Sequence, residues 1–405
     1  MRTKLYLLNV LAFIIFISAC SGSGKRSLPE LVQNDIDSLQ KIYVPDSRIE
    51  LWNISIENND DKISVMAEVA DQKAKSDLLK TFAEKYPGVE IKVALLPESY
   101  KANTINALVN NSVSSIRAEP SHKAEIVNQA LLGSPLRIFK KEKGWYLVQT
   151  PNHYLGWINA EDIVEIDSAQ LIDYQTADKK IFLKQYGFSY LEPDVEAQTV
   201  TDLVIGCILP VVESMKGFDK VQYPDGRIAY VKSNELEPIS VIFNKQPVGA
   251  ELVKTAKKFM GIPYLWGGFS SKAIDCSGFT SIVYFLNGYV LQRDASQQIQ
   301  YGQEITREFE HKDLELGDLL FFGRRATDSL PEKVTHVGMY IGDSEFIHAS
   351  GKVKINSMDS TRTNYSVGYL NRFIKTVRVI GHANNYSIEK TMNNEFYKNL
   401  ISNKL

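Results

Sequence analysis

The stretch "GIPYLWGGFSSKAIDCSGFTSIVYFLNG", from Gly261 to Gly288, contains the most informative pattern in the C-terminal part of the chain. A glycine-rich loop is followed at Cys276 by an apolar segment in which Ile282 and Phe285 share one helical face. The pattern therefore predicts that Cys276 lies in the first turn of a helix. Unpaired N–H groups and the helix dipole favour a thiolate there, which predicts a lowered pKa for this thiol. The alternative is a buried structural thiol.

A candidate base lies downstream in "VTHVGMYIGDSEFIHAS". Residues 334–341 alternate between apolar and polar side chains, which predicts a strand. Residues 342–344 predict a turn, and residues 345–349 predict a returning strand. His336 and His348 can then lie side by side on one face of the hairpin. One imidazole can take the thiol proton while the second fixes its tautomer. Zinc is the alternative, but the set lacks closely spaced ligand pairs, so we predict neither metal nor cofactor.

Five motifs make a family resemblance specific: "PYLWGG", "DCSGF", "RDASQQ", "LELGDLLFF" and "THVGMYIGDSEFIHAS". Their order and spacing over about 130 residues resemble the NlpC/p60 family of papain-like bacterial cell-wall cysteine peptidases. The resemblance implies that Cys276 is the nucleophile, His336 the general base and His348 the third polar member. It also implies that the backbone N–H of Cys276 contributes to an oxyanion hole, and that Tyr264 lies near the nucleophile.

The resemblance further implies a substrate, the peptidoglycan stem peptide, cut between γ-D-glutamate and the following diamino acid. The domain order resembles that of γ-D-glutamyl-L-diamino acid endopeptidases, which require a free N-terminal L-alanine. Glu119, Tyr154 and Asp275 match the positions that surround the ammonium group in that subgroup. The alternatives are a solvated loop charge for Glu119, barrel packing for Tyr154 and a helix N-cap for Asp275.

Further cleft candidates are Trp266, Ser277 and Asp294. The family often has Ser or Thr where this chain has Ala295, although Ser296 follows. That departure leaves only a backbone contact for Ala295.

The N-terminal residues resemble an export signal. Basic residues precede the apolar run "LYLLNVLAFIIFI", which ends in "ISAC". This resembles a bacterial lipobox and predicts lipidation of Cys20, a membrane anchor and export, with the outer membrane favoured. Ordinary signal cleavage and a helical anchor are the alternatives. Of the two remaining cysteines, Cys207 lies in the apolar run "LVIGCILPVV" and is interpreted as a small buried hydrophobe rather than as a disulfide partner of Cys276.

An internal repeat precedes the cysteine domain. Residues 131–163 match residues 204–236 without gaps, and each copy has short β-rich runs with Gly, Pro, Asn and Asp turns. The first copy, with "GWYLVQ" and "GWI", resembles a bacterial SH3-type barrel. The second lacks both tryptophans. Residues 48–97 predict strand, strand, helix and strand.

These patterns and the two family resemblances together imply an α+β chain with a papain-like catalytic domain behind two SH3-like barrels and a small α+β domain. The predicted divisions are a signal peptide (1–19), a lipidated tether (20–27), a small α+β domain (28–107), the first and second SH3-type domains (108–166 and 167–241), the catalytic domain (247–382) and a tail (383–405).

Composition limits the function classes. The chain has 405 residues, 46 Lys plus Arg against 48 Asp plus Glu, and a net charge of -2, which gives no electrostatic basis for nucleic-acid binding. Three rival functions remain open: a peptidase or amidase of intact wall, a lipid-tethered wall-binding module without catalysis, and an acyltransferase that intercepts the thioester with an amine.

Overall fold

A computed structural model describes residues 27–59, 62–97, 106–309, 311–383 and 387–400. The predicted signal peptide, Cys20 and all but the last residue of the predicted tether lie outside these ranges. Within them, no helix is both long and apolar enough to cross a membrane.

The N-terminal unit is a three-stranded sheet covered by two helices. The predicted order of strand, strand, helix and strand is confirmed, and a further helix precedes it. The two helices bury Val32, Leu78 and Phe82 against the sheet. Its elements are α1 (Leu28–Tyr43), β1 (Trp52–Asn59), β2 (Lys62–Val69), α2 (Gln72–Lys85) and β3 (Glu90–Leu95).

The first repeat copy belongs to a seven-stranded antiparallel sheet with the order β10-β4-β7-β8-β9-β5-β6. Inward-facing residues such as Ile116, Ile138 and Ile158 form its core. Its strands are β4 (Asn106–Val109), β5 (Val113–Arg117), β6 (Ile126–Leu131), β7 (Pro135–Glu142), β8 (Trp145–Gln149), β9 (Leu155–Asn159) and β10 (Ile163–Ile166), with a 3-10 turn at Ala160–Asp162.

A second seven-stranded sheet repeats this topology, with the order β13-β12-β16-β15-β14-β11-β17. The first residues of β4 and β11, Asn106 and Lys179, are 73 positions apart, and every later pair of strands begins at the same offset. The repeat therefore extends beyond the two segments seen in the sequence. The elements are α3 (Ser168–Thr176), β11 (Lys179–Phe182), β12 (Tyr186–Tyr190), β13 (Thr199–Val204), β14 (Ile208–Met215), β15 (Phe218–Gln222), β16 (Ile228–Lys232), a 3-10 turn (Ser233–Glu235) and β17 (Leu236–Pro238).

The cysteine unit packs one wholly buried helix, α6, against a six-stranded antiparallel sheet with the order β21-β26-β22-β23-β24-β25. This arrangement places the start of α6 beside the hairpin β23–β24. The elements are α4 (Ile239–Phe243), α5 (Gly249–Lys257), β18 (Phe269–Ser270), β19 (Ala273–Ile274), α6 (Cys276–Phe285), β20 (Tyr289–Leu291), α7 (Ala295–Gln298), β21 (Gln303–Thr306), a 3-10 turn (His311–Asp313), β22 (Leu319–Arg324), β23 (Lys333–Gly342), β24 (Glu345–Ser350), β25 (Lys352–Ser357), α8 (Val367–Leu370) and β26 (Phe373–Arg378).

The tail, to which the sequence assigned no role, connects the first sheet to the cysteine unit. In its described residues 387–400 it forms the strand β27 (Ile388–Lys390), which pairs with β20. Asn394 Nδ2 donates to Pro151 O in the first sheet at 2.9 Å. Tyr397 is buried beside Phe243 and Phe285. The tail thereby fixes the first sheet against the cysteine unit.

Candidate active site

Cys276 is the first residue of α6, as predicted, and is 8% exposed. Asp275 caps the helix, because its Oδ1 accepts from Gly278 N at 2.7 Å. Gly278 is required at this helix start, since a Cβ there would lie 2.1 Å from Gly268 O. The cap and the close approach fix the thiol in one place.

The two hairpin histidines lie side by side, as predicted. His336 Nε2 and His348 Nδ1 are 2.7 Å apart, and both side chains are buried. Gly338 leaves room for this pairing, because a Cβ there would lie 3.2 Å from the Cβ of His348. The ring of Tyr369 contacts both imidazoles.

Asn356 on β25 extends this pair and decides its tautomers. Its Nδ2 donates to Asn364 O at 3.0 Å, so its Oδ1, 2.9 Å from His348 Nε2, must accept. His348 therefore carries its proton on Nε2 and, when neutral, accepts at Nδ1. His336 must then donate from Nε2, which leaves its Nδ1 unprotonated. The chain of hydrogen bonds thus fixes His336 as a base at the nitrogen not used by His348.

Burial keeps all three groups neutral. It lowers the pKa of His336 well below its ordinary value, with the neighbouring His348 contributing, and it lowers the pKa of His348 to about 4. Burial, with the charge of Asp275, raises the pKa of the Cys276 thiol to about 12. The prediction of a lowered thiol pKa is therefore wrong. The helix start is present, but desolvation and the charge of Asp275 outweigh the backbone N–H bonds that lower this pKa, so burial favours a thiol and a neutral imidazole.

The start of α6 packs against β23, where the backbone N–H of Val337 bonds to the Cys276 sulfur and lowers its pKa in part. This contact fixes the sulfur against the strand that carries His336. A thiol in this position can transfer its proton to a neutral imidazole as the sulfur attacks an electrophilic carbonyl carbon.

A cleft of about 200 Å³ opens at the thiol. Six of the seven predicted substrate contacts line it, whereas Glu119 does not and lies exposed on the loop after β5. The acid that this loop places in the cleft wall is Glu125, which the sequence analysis missed. The lining residues are Glu125, Val127, Tyr154, Tyr264, Trp266, Gly267, Asp275, Cys276, Ser277, Asp294, Ala295, Ser296, Val334 and Thr335.

Arg293, also missed, neutralises Asp275. Its guanidinium is 1% exposed and approaches both carboxylate oxygens of Asp275, at 2.5 and 3.1 Å. It also donates to Ser277 Oγ and to Asn128 Oδ1 of the first sheet. Burial opposes the charge of Arg293, but the ion pair outweighs it and its pKa is raised. Asp275 thus caps α6 and anchors the first sheet through Arg293.

The far end of the cleft contains a second carboxylate. Tyr154 donates from its hydroxyl to Asp294 Oδ2 at 3.2 Å, and Arg48 of the N-terminal unit donates to the same oxygen at 2.9 Å. Burial and the charge of Asp294 raise the pKa of Tyr154, which keeps its hydroxyl protonated as a donor. Tyr154 is therefore not simply packed inside the first sheet.

The loop before α6 lies directly on the first sheet. Trp266 Nε1 donates to Glu125 at 2.5 Å. Gly267 has φ of 77°, and a Cβ there would lie 2.2 Å from Ile126 O. Only glycine permits this approach. The first sheet thus forms one wall of the cleft.

The described residues contain no group of three His, Cys, Asp or Glu side chains arranged to hold a metal ion. Both cysteines in these ranges are free. Cys207 is fully buried, and its thiol bonds to Ser112 O, as expected of a small core residue.

The sequence matches two family models. The NlpC/P60 family matches residues 261–372, and the bacterial SH3 domain matches residues 112–164. A "Dipeptidyl-peptidase 6" of Lysinibacillus sphaericus is 31% identical over 271 residues, which are 64% of this chain and 94% of that protein. A "Gamma-D-glutamyl-L-lysine dipeptidyl-peptidase" of Bacillus subtilis is 28% identical over 253 residues, 59% of this chain and 78% of that protein.

The fold has a similar solved example. A crystal structure of an NlpC/P60 family protein from Bacillus cereus superposes with a TM-score of 0.58 at 22% identity, and the match covers 68% of this chain and 99% of that one. Together with the site geometry, the family match and the Lysinibacillus relative show that the chain belongs to the NlpC/P60 family.

Proposed function

We propose that the protein is a cysteine peptidase that hydrolyses the γ-D-glutamyl–diamino acid bond of peptidoglycan stem peptides. The relatives support cell-wall peptidase activity. The observation that carries the chemistry is the hydrogen-bonded series His336–His348–Asn356, with the Cys276 sulfur packed against the strand of His336. Binding alone requires no such arrangement.

The reaction follows from the resting protonation states. The Cys276 thiol gives its proton to His336 Nδ1 as the sulfur attacks the scissile carbonyl carbon, and the backbone N–H of Cys276 stabilises the oxyanion. The C–N bond breaks, and His336 passes the proton to the leaving amine. Water then attacks the thioester, His336 takes a proton from that water, and the returning sulfur is reprotonated as the acid is released.

The cleft supports a substrate with a free amino terminus. Two relatives are named for cutting after γ-D-glutamate, and a dipeptidyl-peptidase releases two residues, so its cleft must recognise an amino group two residues before the scissile bond. Tyr154, Asp294 and Glu125 supply one hydroxyl and two carboxylates on that wall. A substrate joined to the glycan through this amine would bring no ammonium charge to this carboxylate-lined wall, which favours released peptides.

Two further proposals concern the rest of the chain. The second seven-stranded sheet, which shares strand order and spacing with the first, is a second SH3-type domain.

Cys20 is lipidated, so the enzyme is exported and attached to a membrane, with the outer membrane favoured. Mass spectrometry of the mature N-terminus tests this, and an unmodified Cys20 would exclude it.

The test of function uses the full chain in detergent micelles. It is offered L-Ala-γ-D-Glu-L-Lys, the corresponding diaminopimelate peptide and the same two peptides with an acetylated amine, and products are identified by mass spectrometry. We expect L-Ala-D-Glu to be released from at least one free-amine peptide, and no product from the Cys276→Ala variant.

Other results would redirect the proposal. Equal cleavage of free and acetylated peptides would keep the thiol chemistry but remove the amino-group requirement, which would favour action on intact wall. No cleavage of any peptide would contradict the proposed peptidase activity and favour a wall-binding role.

A further inference from the structure

One segment of the N-terminal unit, residues 45–50, enters the groove between the first sheet and the cysteine unit. Its backbone is held by the first sheet, because Leu155 N donates to Arg48 O at 2.7 Å and Gln149 Nε2 donates to Ile49 O at 2.9 Å. Neither family model covers this segment. A part of the chain outside both matched domains therefore reaches the candidate site.

Arg48 is the side chain that reaches it. Its Nε and Nη2 donate to the carboxylate of Asp46, both at 2.8 Å, which orients the guanidinium. Its Nη1 then donates to Asp294 Oδ2 at 2.9 Å and to Ser296 Oγ at 2.8 Å. Gln297 Nε2 holds Asp46 from the other side at 2.8 Å. Four charge-assisted bonds thus aim one cation at two residues of the cleft wall.

Arg48 and Asp294 separate two cavities. Asp294 and Ser296 line the cleft that contains Cys276, whereas Arg48 and Asp46 line a groove of about 900 Å³ on the other side. The ion pair is about two-thirds buried, with side chains 34% and 29% exposed. Without the guanidinium, the far end of the cleft at Asp294, which would receive the substrate's amino terminus, would continue into this larger groove.

We propose that Arg48 is a specificity-determining residue that ends the cleft beyond the substrate's amino-terminal residue and fixes the Asp294 carboxylate that faces the amine. This inference rests on the proposed peptidase function. It assigns the N-terminal unit a role in substrate selection, because that unit supplies the barrier which a substituent on the amine would have to cross.

The test separates the volume of Arg48 from its charge. Arg48→Ala removes both, whereas Arg48→Met keeps most of the volume without the ion pair. Arg227→Ala is the matched control, because Arg227 pairs with Asp225 two residues earlier in the same local arrangement but lies in the second sheet. The full chain in detergent is assayed on L-Ala-γ-D-Glu-L-Lys and its N-acetyl form, and thermal unfolding verifies that each variant is folded.

The expected results differ between the variants. Arg48→Ala should lower the preference for the free peptide over the acetylated peptide at least about ten-fold, with new cleavage of the acetylated peptide, which a loss of stability would not produce. Arg48→Met should still reject the acetylated peptide but raise KM for the free peptide about five-fold. Arg227→Ala should match the wild-type protein.

A folded Arg48→Ala variant with unchanged preference would overturn the inference while the peptidase proposal stands. If Arg48→Ala does not fold, an unchanged KM in Arg48→Met overturns it. Equal cleavage of the free and acetylated peptides by the wild-type protein would show that the cleft has no barrier at Arg48, and would also overturn the inference. No cleavage by the wild-type protein contradicts the peptidase proposal, and this inference with it.

Discussion

The two ends of the cleft solve opposite electrostatic problems. At the reactive end, Cys276, His336 and His348 belong to one unit and are kept neutral by burial. The two carboxylates of the cleft, Asp275 beside the thiol and Asp294 at the far, amino end, are instead each paired with an arginine. The reactive end therefore depends on local geometry, whereas the amino end depends on the assembly of several units.

The two ends should therefore respond differently to substitution. A neutral thiol and a neutral imidazole can be buried away from water without the free-energy cost of burying a charge. Buried carboxylates cannot, and here their counter-ions come from Arg293 and, across the chain, from Arg48 of the N-terminal unit. Damage to the first end should abolish turnover in a folded protein, while damage to the second should change stability and selectivity.

The largest expected effect is at the reactive end. His336→Ala removes the base at Nδ1 and should lower kcat/KM for the free peptide by roughly 10²–10⁴-fold without change in thermal unfolding. His382→Ala, which changes an exposed histidine, is the control and should be active. A loss of less than ten-fold for His336→Ala would show that another group takes the thiol proton.

Loss of an arginine that neutralises a cleft carboxylate should lower stability instead. Arg293→Met leaves the Asp275 charge buried without its partner and should lower the free energy of unfolding by about 3–5 kcal/mol in urea titrations. Adding Asp275→Asn to the Arg293→Met variant should restore much of the lost free energy of unfolding, because asparagine can still cap α6. Arg307→Met, which breaks a half-exposed pair with Glu304, should cost less than about 1 kcal/mol. Equal losses in the free energy of unfolding for Arg293→Met and Arg307→Met would show that the buried ion pair matters no more than the surface pair.

The pH dependence sharpens the contrast. A base with a lowered pKa stays neutral, and therefore active, to lower pH, so kcat/KM should persist well below pH 6.5 and fall only when the histidine pair takes up a proton. Asn356→Asp places a carboxylate beside His348, raises the pKa of the pair and should move this acid limb to higher pH. An acid limb already near pH 6.5 in the wild-type protein would show that the pair is not desolvated.

The smallest effect is expected at the Tyr154 hydroxyl. Tyr154→Phe removes one hydrogen bond to Asp294, about 1 kcal/mol, and should raise KM for the free peptide roughly five-fold with kcat unchanged. Tyr186→Phe, on the exposed surface of the second sheet, should leave KM unchanged. An unaltered KM in Tyr154→Phe would remove this hydroxyl from amine recognition.

Much of the reactive end could be predicted from the sequence, because its signals are local. The helix start at Cys276 follows from spacing and the Asp275 cap, and the hairpin follows from alternation around Gly342. The same hairpin set both histidines on one face. The repeat likewise predicted two similar β units, although the structure shows that the offset extends to all seven strands.

The residues that pair with or surround these reactive groups could not be predicted from the sequence. Glu119 was expected in the cleft, but the turn of its loop brings Glu125 to the wall instead. Asn356 decides the histidine tautomers, yet nothing in its local sequence indicates this. Arg293 stands in a quoted motif, but its complete burial depends on how the first sheet covers it.

The sequence by itself determined which groups could react: one thiol at a helix start and two imidazoles on a hairpin, since periodicity and turn residues act over a few positions. Only the tertiary structure decided their protonation and what surrounds them. The pKa of Cys276 is set by burial rather than by the helix start. Arg48 meets Asp294 across 246 positions of chain. Desolvation and long-range charge pairing depend on the packing of whole units, and no local pattern encodes that packing.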